Sequence, residues 1–345
     1  MSLFDAVEEQ IKLHRNMRPE DIVKLLYQGV YGKEHLLSSN VIDYFYEEYE
    51  NTPITEESLY ERISDSAIRV NIGAWKREGL LSAWLINLFM KDESSSFSSS
   101  DKCFIKSIEE MRDYAASGFF PFSLSDWDGF ISEYLRSGIR PLHHSSVYRE
   151  KESPHYRILS SRDISVIHIL SEIKKRDALV IAIDGRAASG KSTAAASLSA
   201  ALGGAGVVRM DDFFLPSSMR SKERLSSPGG NVHYERFLDE VIPHLKSRTA
   251  FSYSRFDCSV GEICGCVSIP ECRYRIVEGS YSSHPAFGEY YDLLVFSDIP
   301  YHDQLNRIEK RNGSQMKARF ICDWIPMEEQ YFSSFRIREK AQLII

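Results

Sequence analysis

The stretch Gly185-Arg-Ala-Ala-Ser-Gly-Lys191-Ser192 has the GxxxxGK[ST] spacing that is typical of a phosphate-binding loop. An apolar run at 178–183 precedes it and predicts a buried strand, and an alanine-rich segment at 192–202 predicts a helix. Such a turn points main-chain N–H groups inward, and the helix dipole adds partial positive charge. Lys191 would neutralise phosphate oxygens, and the Ser192 hydroxyl would reach Mg²⁺. The residues expected to bind a nucleotide are Gly185, Arg186, Ala187, Ala188, Ser189, Gly190, Lys191, Ser192 and Thr193.

Acidic residues follow two further predicted strands. Asp211 and Asp212 come directly after the strand at 207–210, and Glu278 ends the strand at 275–278. Ligands of open α/β sheets bind at the carboxyl edge of the strands. Asp211 could therefore accept the proton of an attacking hydroxyl, and Glu278 could hold the Mg²⁺ shell through water. Two interpretations of Asp212 stay open, a place in the site or a turn cap.

Two arginines lie four residues apart after the predicted strand at 293–296. Arg307 and Arg311 would share one face of a helix. From that face they could close over a transferring phosphoryl group and stabilise its charge. A solvated helix surface explains the same spacing equally well.

The elements that must position these residues form two domains, as a length of 345 residues suggests. From 166 to 345, strands alternate with helices, which predicts a P-loop-type parallel α/β sheet with flanking helices. Residues 1–165 predict a mainly α-helical domain of unknown role. The helices are expected from Pro19 onward, at 41–49, 79–90, 105–116 and 127–135, and at the boundary at 164–175. Loops are expected at 29–35, at 92–101 and throughout 138–160.

Composition excludes several classes of protein. The chain is 43% hydrophobic and 26% charged, which is ordinary for a globular protein and excludes disorder as the main state. A net charge of −7 argues against a whole-surface nucleic-acid binder. The longest apolar stretch, 80–90, is too short to cross a bilayer, and acids replace the positive charge of a signal peptide. We therefore expect a cytoplasmic protein with neither a membrane nor a nucleic-acid partner, and self-association stays open.

Cysteines and histidines outside these motifs are weaker candidates. Four cysteines fall within 15 residues, but their C-x5-C-x-C-x5-C spacing lacks the paired knuckles of a zinc site. We expect reduced thiols at Cys258, Cys264, Cys266 and Cys272. Three histidines could contact a metal or phosphate, or lie in a polar loop: His143, His144 and His155. The chain also lacks the base-reading motif of a GTPase and the GxGxxG of a dehydrogenase after the first strand of the sheet.

Several segments together resemble one family. Residues from about 178 to 335 resemble the uridine kinase-like P-loop kinases, which include phosphoribulokinase, bacterial pantothenate kinase and nicotinamide riboside kinase. The matching segments are IAIDGRAASGKST, RMDDFFLP, GGNVHYERF, YSRFDC, IVEGSYSSHP, YDLLVFSDIP and RIEKRNG. The resemblance implies Mg²⁺-assisted transfer of the ATP γ-phosphoryl group to a small-molecule alcohol.

The resemblance also implies roles for individual residues. It makes Asp211 the general base and a metal-shell contact, Glu278 a magnesium contact, and Arg307 and Arg311 lid arginines. The stretches that shape the acceptor pocket contain Asp212, His233, Tyr234, Glu235, Arg255, Tyr281 and His284. The segment NVHYERF lacks the aspartate-rich form of nucleoside-binding members, although a nucleoside such as uridine is the first guess. The alternative is an ATP-binding regulatory switch whose N-terminal domain binds a partner.

Overall fold

The chain divides into two units, Met1–Ile164 and Ser165–Ile345, in a computed structural model. The structure describes residues 3–33, 40–91 and 100–345. The loop predicted at 92–101 lies mostly outside these ranges, as do the last two residues of the turn predicted at 29–35. Each unit has its own hydrophobic core.

The described part of the first unit is mainly helical, as predicted. Its helices are α1 (Leu3–Leu13), α2 (Pro19–Tyr31), α3 (Val41–Asn51), α4 (Ile72–Arg77), α5 (Ser82–Met90), α6 (Asp101–Ala116), α7 (Leu124–Arg136) and α8 (Ser146–Glu152). In α2 the apolar residues at helical spacing are buried, which is how this short helix is stabilised. It runs through Gly29 and ends at Gly32, where φ is 66°. Only the second glycine therefore ends the helix.

A small antiparallel sheet in the first unit was not predicted. Its strands are β1 (Tyr60–Arg62), β2 (Ala67–Asn71) and β3 (Tyr156–Ser160), in the order β1-β2-β3. The loop prediction for 138–160 is wrong where α8 and β3 form. All five residues of β2 are buried although Arg69 and Asn71 are polar, so the burial of both faces depends on the fold and is not signalled by an apolar run.

A chain of buried polar side chains crosses the first unit. The guanidinium of Arg69 is fully buried, stacks on the Tyr156 ring at 4.5 Å, and donates to Gln28 Oε1 at 2.8 and 3.1 Å. His144 bridges Asp21 Oδ1 at 2.8 Å and the Tyr156 hydroxyl at 2.7 Å. Because burial disfavours a charged imidazole more than Asp21 favours it, the pKa of His144 is lowered to about 4.

Acid is expected to destabilise the first unit through His144. Below pH 6.5 the unfolded imidazole takes up a proton that the folded one takes up only near pH 4. Stability should therefore fall between pH 6.5 and 4, by at most roughly 3 kcal/mol for this group. His144→Asn, which can still donate to Asp21, should flatten the dependence between pH 6.5 and 5. Urea unfolding followed by tryptophan fluorescence measures it, and equal slopes in both proteins would contradict the assignment.

The second unit is built on a five-stranded parallel sheet. Its strands are β4 (Val180–Gly185), β5 (Gly206–Arg209), β8 (Arg275–Glu278), β9 (Leu293–Ser297) and β10 (Leu343–Ile344), in the order β10-β9-β4-β8-β5. All four strand pairs are parallel. The first strand in sequence therefore lies in the middle, where connections leave to both sides. Such a switch point opens a crevice at the carboxyl edge. The predicted α/β fold class is confirmed.

Helices and one hairpin surround this sheet. The helices are α9 (Ile164–Arg176), which begins at the unit boundary, α10 (Lys191–Ala201), α11 (Lys222–Ser226), α12 (Tyr234–Glu240), α13 (Ile242–Leu245), α14 (Tyr301–Arg319), α15 (Ile325–Phe335) and α16 (Ile337–Lys340). The hairpin pairs β6 (Phe251–Asp257) with β7 (Glu262–Ile269). Within α14 the backbone leaves helical geometry at Gly313, where φ is 81° and ψ is 168°. No helix in the described ranges is long and apolar enough to cross a membrane.

Gly185 is the point where the central strand packs most tightly against its neighbour. Its φ is +136°, and a Cβ atom there would lie 2.1 Å from the carbonyl oxygen of Ser297. Gly185→Ala should therefore lower stability by more than the strain of positive φ alone, which is on the order of 1–3 kcal/mol. Gly204→Ala is the matched control, since φ is +105° there and nothing lies within 4 Å of the added methyl group. Equal losses in thermal unfolding would contradict the overlap.

Candidate nucleotide site

The phosphate-loop motif lies between the central strand and an eleven-residue helix. β4 ends at Gly185, and α10 begins at Lys191 after Gly190, whose φ is +111°. The first amides of a helix have no intrahelical acceptor, and the helix dipole adds positive charge at this end. A strand, a glycine-bracketed turn and a helix N-terminus thus form the geometry that binds phosphate oxygens.

Lys191 is held against the loop that it follows. Its Nζ donates to the carbonyl oxygens of Gly185 at 2.8 Å and Arg186 at 2.6 Å, and the residue is buried. Both acceptors are neutral, so a phosphate would be a stronger partner for the ammonium group. The structure therefore holds the Lys191 charge within the loop itself.

Ser192 and Glu278 meet across two elements of the sheet edge. The Ser192 hydroxyl donates to Glu278 Oε2 at 3.1 Å. The Glu278 side chain is buried, and burial, together with the charge of Asp211, raises its pKa, while Lys191 opposes the rise. Burial and the Asp211 charge both disfavour the ionised form of Glu278. A cation bound at this edge would therefore stabilise the Glu278 carboxylate.

Asp211 and Asp212 occupy a short 3-10 turn, Met210–Phe213, that follows β5. Because Arg209 of β5 pairs with Glu278 of β8, this turn lies at the same sheet edge as Glu278. Asp211 is exposed. The Asp212 carboxylate is buried and accepts from the Tyr253 hydroxyl at 2.9 Å, and burial raises its pKa. Of the two aspartates, Asp211 is the one that faces solvent.

The donors at this edge suit Mg²⁺. They are the Ser192 hydroxyl and the carboxylates of Asp211 and Glu278. Mg²⁺ prefers oxygen ligands, keeps several waters, and is commonly bound by one or two carboxylates together with phosphates of a nucleotide. The described residues contain no cluster of three His, Cys, Asp or Glu side chains that could hold a metal alone. The hydroxyl and two carboxylates fit an ion that nucleotide phosphates also coordinate.

The two predicted arginines differ in what they contact. Arg307 Nη1 donates to the carbonyl oxygens of Ala188 at 3.3 Å and Ser189 at 3.2 Å, so it reaches the loop. Arg311 lies one turn further along α14, is exposed, and donates to Asn312 Oδ1 at 2.7 Å. The two share one helix face, and only Arg307 contacts the loop.

A cavity of about 640 Å³ opens beside the loop. Arg186 lies on its wall and is bound to Asp298 through Nε at 2.8 Å and to Glu329 on α15. Its remaining walls are Ile299, Pro300, Tyr301 and Ile325. Sequence reasoning did not identify this space, because its walls come from three separate segments.

Two residues predicted for the acceptor pocket, Tyr234 and Glu235, contact Arg224 of α11, and a third, His233, lies directly before them. Arg224 forms a two-pronged ion pair with Glu235 at 2.8 and 3.0 Å and lies over the Tyr234 ring at 3.6 Å. The His233 ring caps α12 by accepting from the Arg236 amide at 3.3 Å. These side chains lie together and bind one another.

The other predicted acceptor residues lie in different surroundings. Tyr281 is 2% exposed and belongs to the core of the second unit, and its φ is +75°. His284 stacks with Tyr234 at 5.5 Å and accepts from the Ala286 amide at 3.1 Å. Arg255 is exposed on β6, and its charge acts on Asp212.

Sequence reasoning missed the side chains of α14 and α15 that bind the loop backbone at Ala187. Glu328 on α15 accepts from the Ala187 amide at 3.0 Å, and Gln304 on α14 donates to the Ala187 carbonyl at 3.1 Å. Ser280, two residues after Glu278, contacts both Glu328 and Gly185. Only the position of Ser280, directly after the strand-end Glu-Gly pair, could have signalled its role.

The weaker candidates are the clustered cysteines of the second unit and the histidines of the first unit. Three of the four clustered cysteines are exposed on or beside the β6–β7 hairpin, and Cys272 is half-buried after it. In the first unit, His155 pairs with Glu48 at 3.0 Å, while His144 belongs to the buried polar chain.

A parallel sheet whose central strand ends in this loop defines the second unit as a P-loop α/β fold. No protein-family model matches the chain, and the comparison with curated proteins gave no significant match.

Solved structures do match, each over about half of this chain. A possible uridine kinase from Bacillus stearothermophilus is 19% identical over 48% of this chain and 88% of its own, with a TM-score of 0.37. A protein provisionally assigned as a fructose transport system kinase, from Silicibacter sp. TM1040, is 25% identical over 48% of this chain and 89% of its own, with a TM-score of 0.39. D-glycerate 3-kinase from Cryptococcus neoformans var. grubii serotype A is 16% identical over 47% of this chain and 85% of its own, with a TM-score of 0.33. The fold of the second unit is established by its own sheet and loop.

Proposed function

We propose that the protein transfers the γ-phosphoryl group of ATP to the hydroxyl group of a small molecule. The observation that carries the proposal is the meeting of Lys191, Ser192 and Glu278 at the loop, with exposed Asp211 at the same sheet edge. A nucleotide cradle needs only the first two. An exposed carboxylate facing the terminal phosphate adds what a transferase needs to activate an alcohol.

The residues of the site then divide the tasks. The loop amides and Lys191 bind the β- and γ-phosphates, and Ser192, Asp211 and Glu278 would hold Mg²⁺, which would neutralise charge on the transferring group. Asp211 accepts the proton of the attacking hydroxyl as the new P–O bond forms and the bond to ADP breaks. Arg307 stabilises the charge that develops beside the loop. Arg311 joins it from the same helix face.

The acceptor is a small alcohol, and a nucleoside such as uridine is our first choice. The family resemblance and the aromatic pair Tyr234 and His284 support a ring-bearing acceptor. Asp212, His233, Tyr234, Glu235 and Arg255 line the acceptor side in this proposal. We place the reaction in the cytoplasm, since all six cysteines are free thiols in the structure.

A panel of alcohols tests the proposal. The full chain is incubated with ATP and Mg²⁺, and ADP release is followed with nucleosides, sugars, sugar phosphates and hydroxy acids. ADP release that depends on one acceptor, with the phosphorylated acceptor found by mass spectrometry, is the expected result. Slow hydrolysis that no acceptor accelerates, but that a protein partner does, would favour an ATP-dependent switch instead.

A further inference from the structure

One residue of the phosphate loop, Ala187, is held through both its N–H and its carbonyl oxygen by side chains of two distant helices. Glu328, 6% exposed, accepts from the Ala187 N–H, and Gln304 donates to the Ala187 carbonyl. These residues lie 141 and 117 positions away in sequence, so the contacts exist only in the folded unit. These contacts hold the loop backbone at Ala187 in one position.

The second carboxylate oxygen of Glu328, Oε1, belongs to a chain of three oxygen atoms in which only the Ser280 hydroxyl carries a proton when Glu328 is ionised. Ser280 Oγ lies 2.7 Å from Glu328 Oε1 and 2.8 Å from the carbonyl oxygen of Gly185. A hydroxyl has one proton to donate, and both neighbours are acceptors when Glu328 is ionised. Ser280 can donate to Gly185 without a clash of lone pairs only if Glu328 is protonated and donates to Ser280 in turn.

Lys191 links nucleotide binding to the direction in which the Ser280 hydroxyl donates. In the structure its Nζ donates to the same Gly185 oxygen, so that carbonyl already has a donor and Ser280 is free to turn to Glu328. A triphosphate would draw the ammonium group to its own oxygens. Gly185 would then need the Ser280 proton, which favours the protonated form of Glu328.

The charges around Glu328 also favour its protonated form when a nucleotide is bound. Its pKa is raised, chiefly by burial and also by the charge of Asp184 on β4, while the nearby Lys191 charge lowers it. Arg186, on the loop, is neutralised by Asp298 and Glu329. Once phosphate neutralises Lys191, the one nearby charge that favours ionised Glu328 is cancelled.

We propose that Glu328 is a positioning residue of the phosphate loop and takes up a proton from solvent when ATP binds with Mg²⁺. The proton lies on Oε1, and the chain then runs from Glu328 through Ser280 to Gly185. No covalent bond other than the new O–H bond changes. The inference rests on the proposed function only in requiring that the loop bind ATP.

Calorimetric titration with ATP and Mg²⁺, in two buffers of different ionisation enthalpy, measures the uptake directly. Wild-type protein should take up as much as one proton per ATP. Its affinity should weaken as pH rises, by at most tenfold per pH unit. The carboxamide of Glu328→Gln imitates the protonated acid, so this variant should lose that uptake and hold its affinity as pH rises. Glu339→Gln, an exposed acid on α16, should behave as wild type.

Comparison of variants separates Glu328 from the other ionising groups. Protons from the nucleotide itself cancel between wild type and variant. Ser280→Ala breaks the chain at its middle and should reduce the same uptake, so the test does not depend on one substitution. Equal proton uptake in wild type and both variants would overturn the inference while leaving the proposed function intact. Failure of wild-type protein to bind ATP would overturn both.

Discussion

Asp211→Asn is expected to lower the turnover number at least about 100-fold, the usual effect of losing a general base. Asparagine keeps the size of the side chain and cannot accept the proton. The affinity for ATP should change little, because Lys191, Ser192 and the loop amides remain. Steady-state kinetics with the acceptor found in the panel, together with equilibrium ATP binding, measure both quantities.

The matched control for this variant is Asp239→Asn. Asp239 is an exposed aspartate on α12 of the same unit. It should keep wild-type turnover. Equal losses of ATP binding and turnover in Asp211→Asn would show that Asp211 serves only the bound metal and is not the base. Unchanged turnover would remove Asp211 from the reaction altogether.

Lys191→Ala is expected to weaken ATP binding and turnover together, each by about 100-fold or more. Removal of a single preorganised donor from such a site costs 10²–10³ in rate. The lysine ammonium group is buried at the loop and donates to two neutral carbonyl oxygens, so a polyanion would be a stronger partner. Calorimetry and steady-state kinetics check the two losses.

Lys246→Ala provides the control, because Lys246 is an exposed lysine of the same unit. Thermal unfolding of both variants separates a loss of binding from a loss of folding. A Lys191→Ala protein that is folded and binds ATP as tightly as wild type would contradict the assignment of the loop.

Local patterns made the second unit predictable. The apolar runs that became β4 and β9 are buried on both faces, so composition alone signals them. The glycines of the loop also follow from the sequence, because the Gly185 backbone lies against Ser297, where no other residue fits. Asp211 and Glu278 could be placed at one edge because parallel strands end together.

The features that were missed depend on distant contacts. β3 formed where prolines and histidines predicted a loop, since its four buried residues are stabilised by pairing with β2 rather than by a local pattern. Glu328 lies in an ordinary helical segment, and only the fold brings it to Ala187. The acceptor side was harder still, because the binding partner of Tyr234 and Glu235 is Arg224, which no spacing rule connects to them.

Hydrogen–deuterium exchange of the loop amides tests most directly that this loop grips a triphosphate. The full chain is compared with and without ATP and Mg²⁺, and peptides covering 185–193 are followed by mass spectrometry. The account predicts that exchange slows in these peptides when the nucleotide is added, and that Lys191→Ala removes the effect. ATP binding that leaves 185–193 unprotected while slowing exchange elsewhere would contradict it.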